Sequence, residues 1–109
     1  MEKHEIQLRY LPLFYEDLER EVDYIAYKLM NPIAAENLLD AVEKAILERV
    51  SIAESFEPYY SLKERRYPYY RIYVKNYVVY YVIIDDVSDN KIMEVRRFLH
   101  NKQETTEML

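Results

Sequence analysis

Three arginines, Arg71, Arg96 and Arg97, lie within a stretch of strand-forming residues, where charge is normally avoided. Their planar guanidinium groups can hold a phosphate or a carboxylate through paired hydrogen bonds. His100 follows closely, and an unperturbed histidine titrates near neutral pH, so it can give or take a proton. This combination favours phosphate chemistry or the binding of an acidic partner.

Each of these side chains also has a structural explanation. Arg71 and Arg97 could pair with Asp or Glu inside the protein, and His100 at a strand end could be solvated or cap the backbone. The chain has 13 tyrosines, more than a core of this size needs, and exposed Tyr beside Arg is typical of binding hot spots. The functional interpretation therefore requires that Arg71, Arg96 and Arg97 share one exposed surface and lack internal acidic partners.

Charge divides the chain into an acidic and a basic part. Residues 1–62 carry 6 basic and 13 acidic side chains, a balance of −7, whereas residues 63–102 have a balance of +4. The whole chain has a net charge of −5. A basic sheet face suits phosphate or an acidic partner; alternatively, the two parts attract each other.

Missing residue types exclude several kinds of site. The absence of Cys excludes disulfides, thiolate nucleophiles and the common zinc sites. The absence of Gly excludes phosphate-binding loops and dinucleotide fingerprints, and it predicts that Asn76 and the pair Asp89–Asn90 take the positive-φ turn positions. Only His4 and His100 are present as histidines, so we expect no metal and no cofactor.

The amino-terminal residues and the hydropathy pattern bear on localisation. The first ten residues are charged and lack the apolar segment of a signal peptide. No apolar run approaches the ~18 residues of a membrane-spanning helix. We therefore expect a cytoplasmic protein without a membrane partner.

Apolar residues at helical spacing predict two successive helices. The first begins at Pro12 and its apolar stripe runs to about Met30; Asp17 falls on the opposite, charged face, which we expect to be solvated. The pair Asn31–Pro32 ends this helix and starts the second, which runs to about Ser55. The short connection predicts an antiparallel helical hairpin.

Period-2 alternation predicts four strands. The first is His4–Tyr10, and Tyr69–His100 reads as a three-stranded antiparallel meander with turns at Lys75–Asn76 and at 85–90. In the last strand, alternation sets Met93, Val95, Arg97 and Leu99 against Ile92, Glu94, Arg96 and Phe98. The order β-α-α-β-β-β predicts one α+β domain over residues 1–109, with a helical hairpin packed on a mostly antiparallel four-stranded sheet.

Short motifs along nearly the whole chain occur in an order found in a known superfamily. They are Leu11-Pro12, Asn31-Pro32 with Ala34-Ala35, Pro58, Tyr70-Arg71, Asn76-Tyr77, Tyr80-Tyr81 and Arg97-Phe98-Leu99-His100. Together they resemble the RelE/ParE superfamily of toxins from type II toxin–antitoxin pairs, which are also called plasmid stabilization proteins. The last motif looks like the Arg-x-Leu-His ending of the family and is closer to the ParE branch. At positions 101–104 the chain departs from the Gly-Arg-Arg-Asp of many relatives.

The resemblance implies a growth-inhibiting toxin that forms a hetero-oligomer with its antitoxin and, as a ParE-like protein, acts on DNA gyrase. A RelE-like toxin would instead cleave messenger RNA on the ribosome. For that chemistry Arg71 and Arg97 would hold the phosphate, His100 would exchange protons, and Tyr81 or Tyr77 would stack a base or position a hydroxyl. A third alternative is a non-toxic family member that binds only its antitoxin.

For partner binding, we expect the basic sheet and its tyrosine-rich rim to receive an acidic, amphipathic segment of the antitoxin. The residues predicted to form this surface are Arg65, Arg66, Arg71, Tyr73, Tyr77, Arg96 and Arg97.

Overall fold

The computed structural model describes residues 6–58, 66–85, 90–102 and 109, which form a four-stranded sheet with two α-helices packed on one face. The elements are β1 (Ile6–Tyr10), α1 (Pro12–Asp23), a π-helical turn (Tyr24–Lys28), α2 (Pro32–Val50), β2 (Tyr70–Val74), β3 (Tyr77–Asp85) and β4 (Lys91–His100). This confirms the predicted α+β class and the order β-α-α-β-β-β.

The strands lie in the order β1-β4-β3-β2. β2, β3 and β4 form the predicted antiparallel meander, and β1 pairs in parallel with β4. Parallel neighbours need a long connection, which the two helices and the meander supply. β1 and β2 are therefore the two edge strands of the sheet.

The helical hairpin turns through a π-helical segment and a strained residue. The N–H of Leu29 donates to the carbonyl of Tyr24, five residues back, and Met30 then takes a φ of 51°. Asn31 caps α2 by accepting from the N–H of Ala34 at 3.1 Å, and Pro32 occupies the first turn, as predicted. α2 ends at Val50, and residues 51–54 form turns rather than further helix.

The turn between β2 and β3 corrects one sequence-based prediction. Lys75, not Asn76, has the positive φ, at 54°. Asp89 lies outside the described residues. In the described part of the chain, Met30 and Lys75 are the residues with positive φ. Because the chain has no glycine, these positions are taken by residues for which this conformation is unfavourable.

Two hydrophobic cores lie on the two faces of the sheet. The core under the helices includes Phe14, Leu38, Val42, Ile46, Val79, Tyr81, Met93, Val95 and Phe98. The core on the outer face consists of Tyr69, Val78, Tyr80, Val82 and Leu99, with Tyr67, Ile84 and Leu109 packed against it. β3 is buried on both faces, which explains its nearly continuous run of apolar and aromatic residues.

A β-bulge in β4 reverses the alternation of its side chains. The consecutive residues Tyr80–Tyr81 pair with Arg97 and Val95, so Arg96 is skipped. Val95 and Phe98 consequently both face the helices. The prediction that they lie on opposite faces is wrong, because an extra residue in one strand shifts the period-2 pattern beyond it.

No helix among residues 6–58, 66–85 and 90–102 combines the length and the apolar character needed to cross a lipid bilayer.

Candidate functional site

Arg97 is bound inside the molecule by a carboxylate of α1. Its Nε donates to Asp17 Oδ2 at 2.7 Å and its Nη2 to Oδ1 at 3.1 Å. Asp17 is 0% exposed and also accepts from the N–H of Phe98 at 3.0 Å and from Arg20 at 3.2 Å. A buried carboxylate is tolerated when it is paired and hydrogen-bonded in this way. The prediction of a solvated face for Asp17 is therefore wrong.

Arg96 lies on the other side of β4 and is also bound to an acid. Its Nε donates to Glu94 Oε1 at 2.8 Å, and its guanidinium lies 5.9 Å from the centroid of the Tyr69 ring. Glu94 is buried and accepts a second hydrogen bond from Arg9 of β1 at 2.8 Å. Burial alone would raise the pKa of Glu94, but the hydrogen bonds from Arg9 and Arg96 lower that pKa below its usual value.

The two adjacent arginines therefore contact different acidic partners. Arg97 is directed toward α1 and Arg96 toward the outer face, each against an internal carboxylate. The expectation that they share one exposed surface with Arg71, without internal acidic partners, is wrong. Alternation sets Arg96 against Arg97, but it cannot identify their acidic partners, because Asp17 lies 80 residues from Arg97 in the sequence.

Tyr81 lies in the core and is 0% exposed. Its hydroxyl donates to the carbonyl of Ala53 at 2.8 Å and accepts from Nη1 of Arg49 at 3.1 Å. Burial raises the pKa of Tyr81, against the opposing effect of Arg49. Arg49 also donates to the carbonyl of Arg71 at 3.1 Å and lies over the ring of Phe56, so this network attaches the end of α2 to the sheet. Tyr81 is placed to anchor the fold rather than to stack on a base.

His100 and Tyr77 are paired neighbours at one end of β3 and β4. Tyr77 packs against the core on the helix-facing side of the sheet. Their rings are 5.3 Å apart with an edge-to-face orientation. The Tyr77 hydroxyl donates to Glu21 at 3.5 Å, and burial, together with Glu21, raises the pKa of Tyr77. Nδ1 of His100 accepts from the N–H of Lys102 at 3.2 Å. Sequence pattern alone does not place Glu21 in this group, since Glu21 falls on the charged face of α1.

A row of cations and tyrosines follows β2 and the residues before it; Tyr67 and Arg71 are half-buried, and the other members are exposed. The Arg66 guanidinium lies 5.3 Å from the ring centroid of Tyr67, and that of Arg71 lies 5.8 Å from the ring centroid of Tyr73. Tyr73 is 64% exposed, and Lys75 is exposed at the following turn. We call these five residues the cation–tyrosine strip. It lies at the border of the sheet, because β2 is an edge strand.

The predicted partner-binding residues thus occupy different environments. The strip contains Arg66, Arg71 and Tyr73. Arg96 and Arg97 are bound to internal acids, and Tyr77 faces the helices. Arg65 lies outside the described residues.

The four predicted catalytic residues do not converge on one point. Arg71 follows the outer face with Tyr73, Arg97 is held against α1, and Tyr81 is enclosed in the core. His100 contacts Tyr77 on the helix-facing side. In the part of the chain that the structure describes, no three His, Asp or Glu side chains are grouped as a metal site would require.

An open groove of about 590 Å³ lies between α1 and residues 36–47 of α2. Its buried floor is apolar, with Phe14, Val42 and Ile46. Its more exposed walls combine apolar and acidic side chains, which are Tyr15, Leu39, Leu47, Glu36, Asp40 and Glu43. We call this feature the interhelical groove. Tyr15 and Leu39 are apolar residues of the two helices, and both are substantially exposed beside this groove.

Comparison with known proteins agrees with this architecture. The family model described as "ParE toxin of type II toxin-antitoxin system, parDE" matches residues 8–105. The match extends from within β1 to beyond the end of β4, so it includes both helices and almost the whole sheet. No curated protein shows significant similarity to the chain. Because the family model covers most of the sequence, the chain belongs to the ParE toxin family of type II toxin–antitoxin systems.

Proposed function

We propose that this protein is a toxin that arrests growth by binding its target rather than by cleaving RNA, and that the target is DNA gyrase. Membership of the ParE family implies an antitoxin partner and supports a target of the ParE type. A toxin that acts by binding needs an accessible, well-anchored surface, and it does not need a convergent set of acids, bases and cations.

The observation that carries the proposal is the pairing of Arg97 with buried Asp17. To hold a phosphate, Arg97 would have to leave that carboxylate. Breaking a buried ion pair costs about 3–5 kcal/mol, because one charge stays buried without compensation. The hydroxyl of Tyr81 is likewise engaged within the core. These arrangements favour binding over catalysis.

The cation–tyrosine strip supplies the accessible surface. Arginine and tyrosine are enriched among the residues that dominate binding energy at interfaces. Tyr73 projects from an edge strand, and the cations beside it suit an acidic surface on the target. We propose that the target contacts the strip, with Tyr73 as its apolar anchor.

The test compares two activities of the purified protein. Gyrase-catalysed supercoiling should be inhibited in a dose-dependent manner, and messenger RNA in a translation extract should remain intact. Cut messenger RNA with unaffected gyrase would identify the RelE-like ribonuclease instead. Normal growth of bacteria that express the folded protein alone would identify a non-toxic antitoxin binder.

A pair of double variants tests the strip. Arg71→Glu with Tyr73→Ala should weaken gyrase inhibition by at least about tenfold, which corresponds to about 1.4 kcal/mol of binding free energy. The matched control is Lys28→Glu with Tyr27→Ala, which reverses one charge and removes one exposed tyrosine in the helical turn. The control should inhibit as well as the wild type. Equal loss in both variants would contradict a contact at the strip.

A further inference from the structure

We infer that this chain forms a symmetric dimer in which the connection between its two helices contacts the same connection of a second copy. The contact surface consists of Tyr24, Tyr27, Leu29, Met30 and Ile33, which we call the hairpin-tip patch. The inference does not depend on the toxic activity or on the target, because it concerns contact between two copies of one chain.

The hairpin-tip patch is exposed because the core ends before the helical hairpin does. Ile25 still packs against the helix-facing core, whereas Leu29 is 56% exposed and Met30 is 83% exposed. In the π-helical turn itself, Tyr24 is 50% and Tyr27 is 77% exposed. With Ile33, five large apolar side chains are exposed within ten consecutive residues. Grouped exposure of this kind is typical of interaction sites.

The backbone at Met30 supports a role for its side chain in binding. Met30 has a φ of 51°, a conformation that glycine and asparagine adopt at a lower steric cost. A long apolar side chain at this exposed position adds little to the packing of a single copy. Strained backbone occurs preferentially at binding and switch sites, where the surroundings compensate for its cost. A second copy would supply those compensating contacts.

The charge beside the patch favours a second copy of the same surface. Asp23 and Lys28 are both exposed there, so the patch carries one acid and one base. The cation–tyrosine strip is basic and the walls of the interhelical groove are acidic, so a strongly charged partner is attracted to those surfaces rather than to this one. In a two-fold contact residues meet reciprocally, so Lys28 of each copy can pair with Asp23 of the other.

The area of the patch suits a weak, reversible dimer. Burying the exposed fractions of its two tyrosines and three other apolar side chains would remove on the order of 450 Å² from each copy, or about 900 Å² in total. Exposed neighbours such as Asn31 and Pro32 would bring the total toward the ~1,200 Å² at which specific interfaces begin. We therefore expect a dissociation constant in the micromolar range rather than an obligate dimer.

The experiment measures self-association of the purified full chain by sedimentation velocity across the micromolar range. The mass should rise from one copy to two and no further, because a two-fold contact is closed. The dimer should persist at high salt, since salt screens the repulsion between chains of net charge −5 and leaves apolar contacts in place. A monomer at every concentration, or growth beyond two copies, would overturn the inference. So would dissociation at high salt, which would indicate contact between the basic strip and the acidic groove walls.

Matched variants locate the contact on the hairpin-tip patch. Met30→Glu with Ile33→Glu should raise the dissociation constant of the dimer by at least about tenfold, because it places carboxylates in an apolar contact. Leu47→Glu with Ile52→Glu is the control, since both residues are exposed, lie outside the patch and give the variant the same added charge. It should dimerise within about twofold of wild type, and circular dichroism should give the same helical signal for all three proteins. Equal weakening in both variants would mean general charge repulsion and would contradict a contact at the patch.

A charge exchange tests the two-fold arrangement. Lys28→Asp alone should weaken the dimer, because it sets a like charge against Asp23 of the second copy. Lys28→Asp combined with Asp23→Lys should restore the affinity, since both reciprocal pairs form again with their signs exchanged. If the double variant dimerises as poorly as the single one, the two-fold contact is wrong.

The outcome can be separated from that of the proposed function. Lys28→Glu with Tyr27→Ala should be monomeric and still inhibit gyrase, because inhibition is assayed below the dissociation constant of the dimer. Arg71→Glu with Tyr73→Ala should dimerise normally, since these residues lie on the face of the sheet away from the helices. If the patch variants dimerise like the wild type, the inference is wrong even if gyrase is inhibited. If the wild type dimerises through the patch but inhibits neither growth nor gyrase, the proposed function is wrong and the inference stands.

Discussion

Asp17 is the polar centre of the helix–sheet interface. Its two oxygens accept from Arg97, Arg20 and the backbone N–H of Phe98, so one carboxylate joins α1 to β4. The contact fixes the orientation of α1 on the sheet, which apolar packing alone defines less closely. The same carboxylate holds Arg97 away from solvent.

We expect Asp17→Asn to lower the free energy of unfolding by about 3 kcal/mol, because the amide keeps the size of the side chain but removes the buried negative charge that pairs with Arg97 and Arg20. Urea unfolding followed by circular dichroism measures the loss. Glu16→Gln on the exposed side of α1 is the control and should change stability by less than about 0.5 kcal/mol. Similar losses in the two variants would contradict the assigned role of Asp17.

Glu94 should make stability depend on pH. Arg9 and Arg96 hold its folded-state pKa below the usual value, so its contribution is fully present above the unfolded-state pKa. The contribution is lost as the pH falls through the lower, folded-state pKa. Glu94→Gln should therefore reduce stability at pH 7 and flatten the acid limb of the stability curve. Thermal unfolding between about pH 3 and 7 measures both effects, since the unperturbed pKa of Glu is ~4.3.

Lys91 and Glu54 provide the comparison for that experiment. Their ion pair has a length of 2.8 Å, but both side chains are substantially exposed. Exposed pairs contribute about 0–1 kcal/mol, so Glu54→Gln should leave the pH profile almost unchanged. If Glu54→Gln alters the acid limb as much as Glu94→Gln, the buried Glu94 is not the source of the pH dependence.

At the scale of the elements, substitutions at Met30 can test the strain in the connection between the two helices. Met30 has a φ of 51°, which strains its backbone, and it is 83% exposed. Packing of its side chain therefore offsets little of that strain. Met30→Gly should raise the free energy of unfolding by about 0.5–1 kcal/mol, because glycine adopts positive φ without a steric cost. Met30→Val should lower it. Chemical unfolding of the three proteins gives the order, and a destabilised Met30→Gly would contradict this account.

The sequence predicts the elements well because each has a periodic apolar face and a recognisable end. Pro12 and the Asn31–Pro32 pair start the two helices where they were expected. The candidate site is predicted less well because two features of the folded chain place side chains differently from the sequence pattern. The bulge at Arg96 reverses the strand pattern, and the burial of Asp17 depends on a partner 80 residues away. Neither feature can be recognised from the local sequence.

At the scale of the whole molecule, the acidic and basic parts of the chain do contact each other. Asp17 binds Arg97, and Glu54 binds Lys91, so the helical part is joined to the meander by ion pairs. The alternative explanation of the charge asymmetry is thus confirmed for these residues. The cations that we propose to contact the target, those of the cation–tyrosine strip, lie along β2 and the residues before it.

The two cores should unfold together. β3 is buried on both faces and contributes Val79 and Tyr81 to one core and Val82 to the other, so neither core can persist without it. We expect residues 1–109 to behave as a single domain with one cooperative transition. Far-UV circular dichroism should report the loss of helix and sheet, and near-UV tyrosine dichroism the loss of packing, at the same denaturant concentration. Two separated midpoints would contradict a single domain.

The ion pair between Asp17 and Arg97 has an evolutionary consequence. Loss of either residue alone removes a buried charge partner of the other, so exchange of one should favour exchange of the other. Among descendants of a common ancestor, these two alignment columns should covary, with acid–base pairs replaced by pairs of apolar residues and seldom by mixed ones.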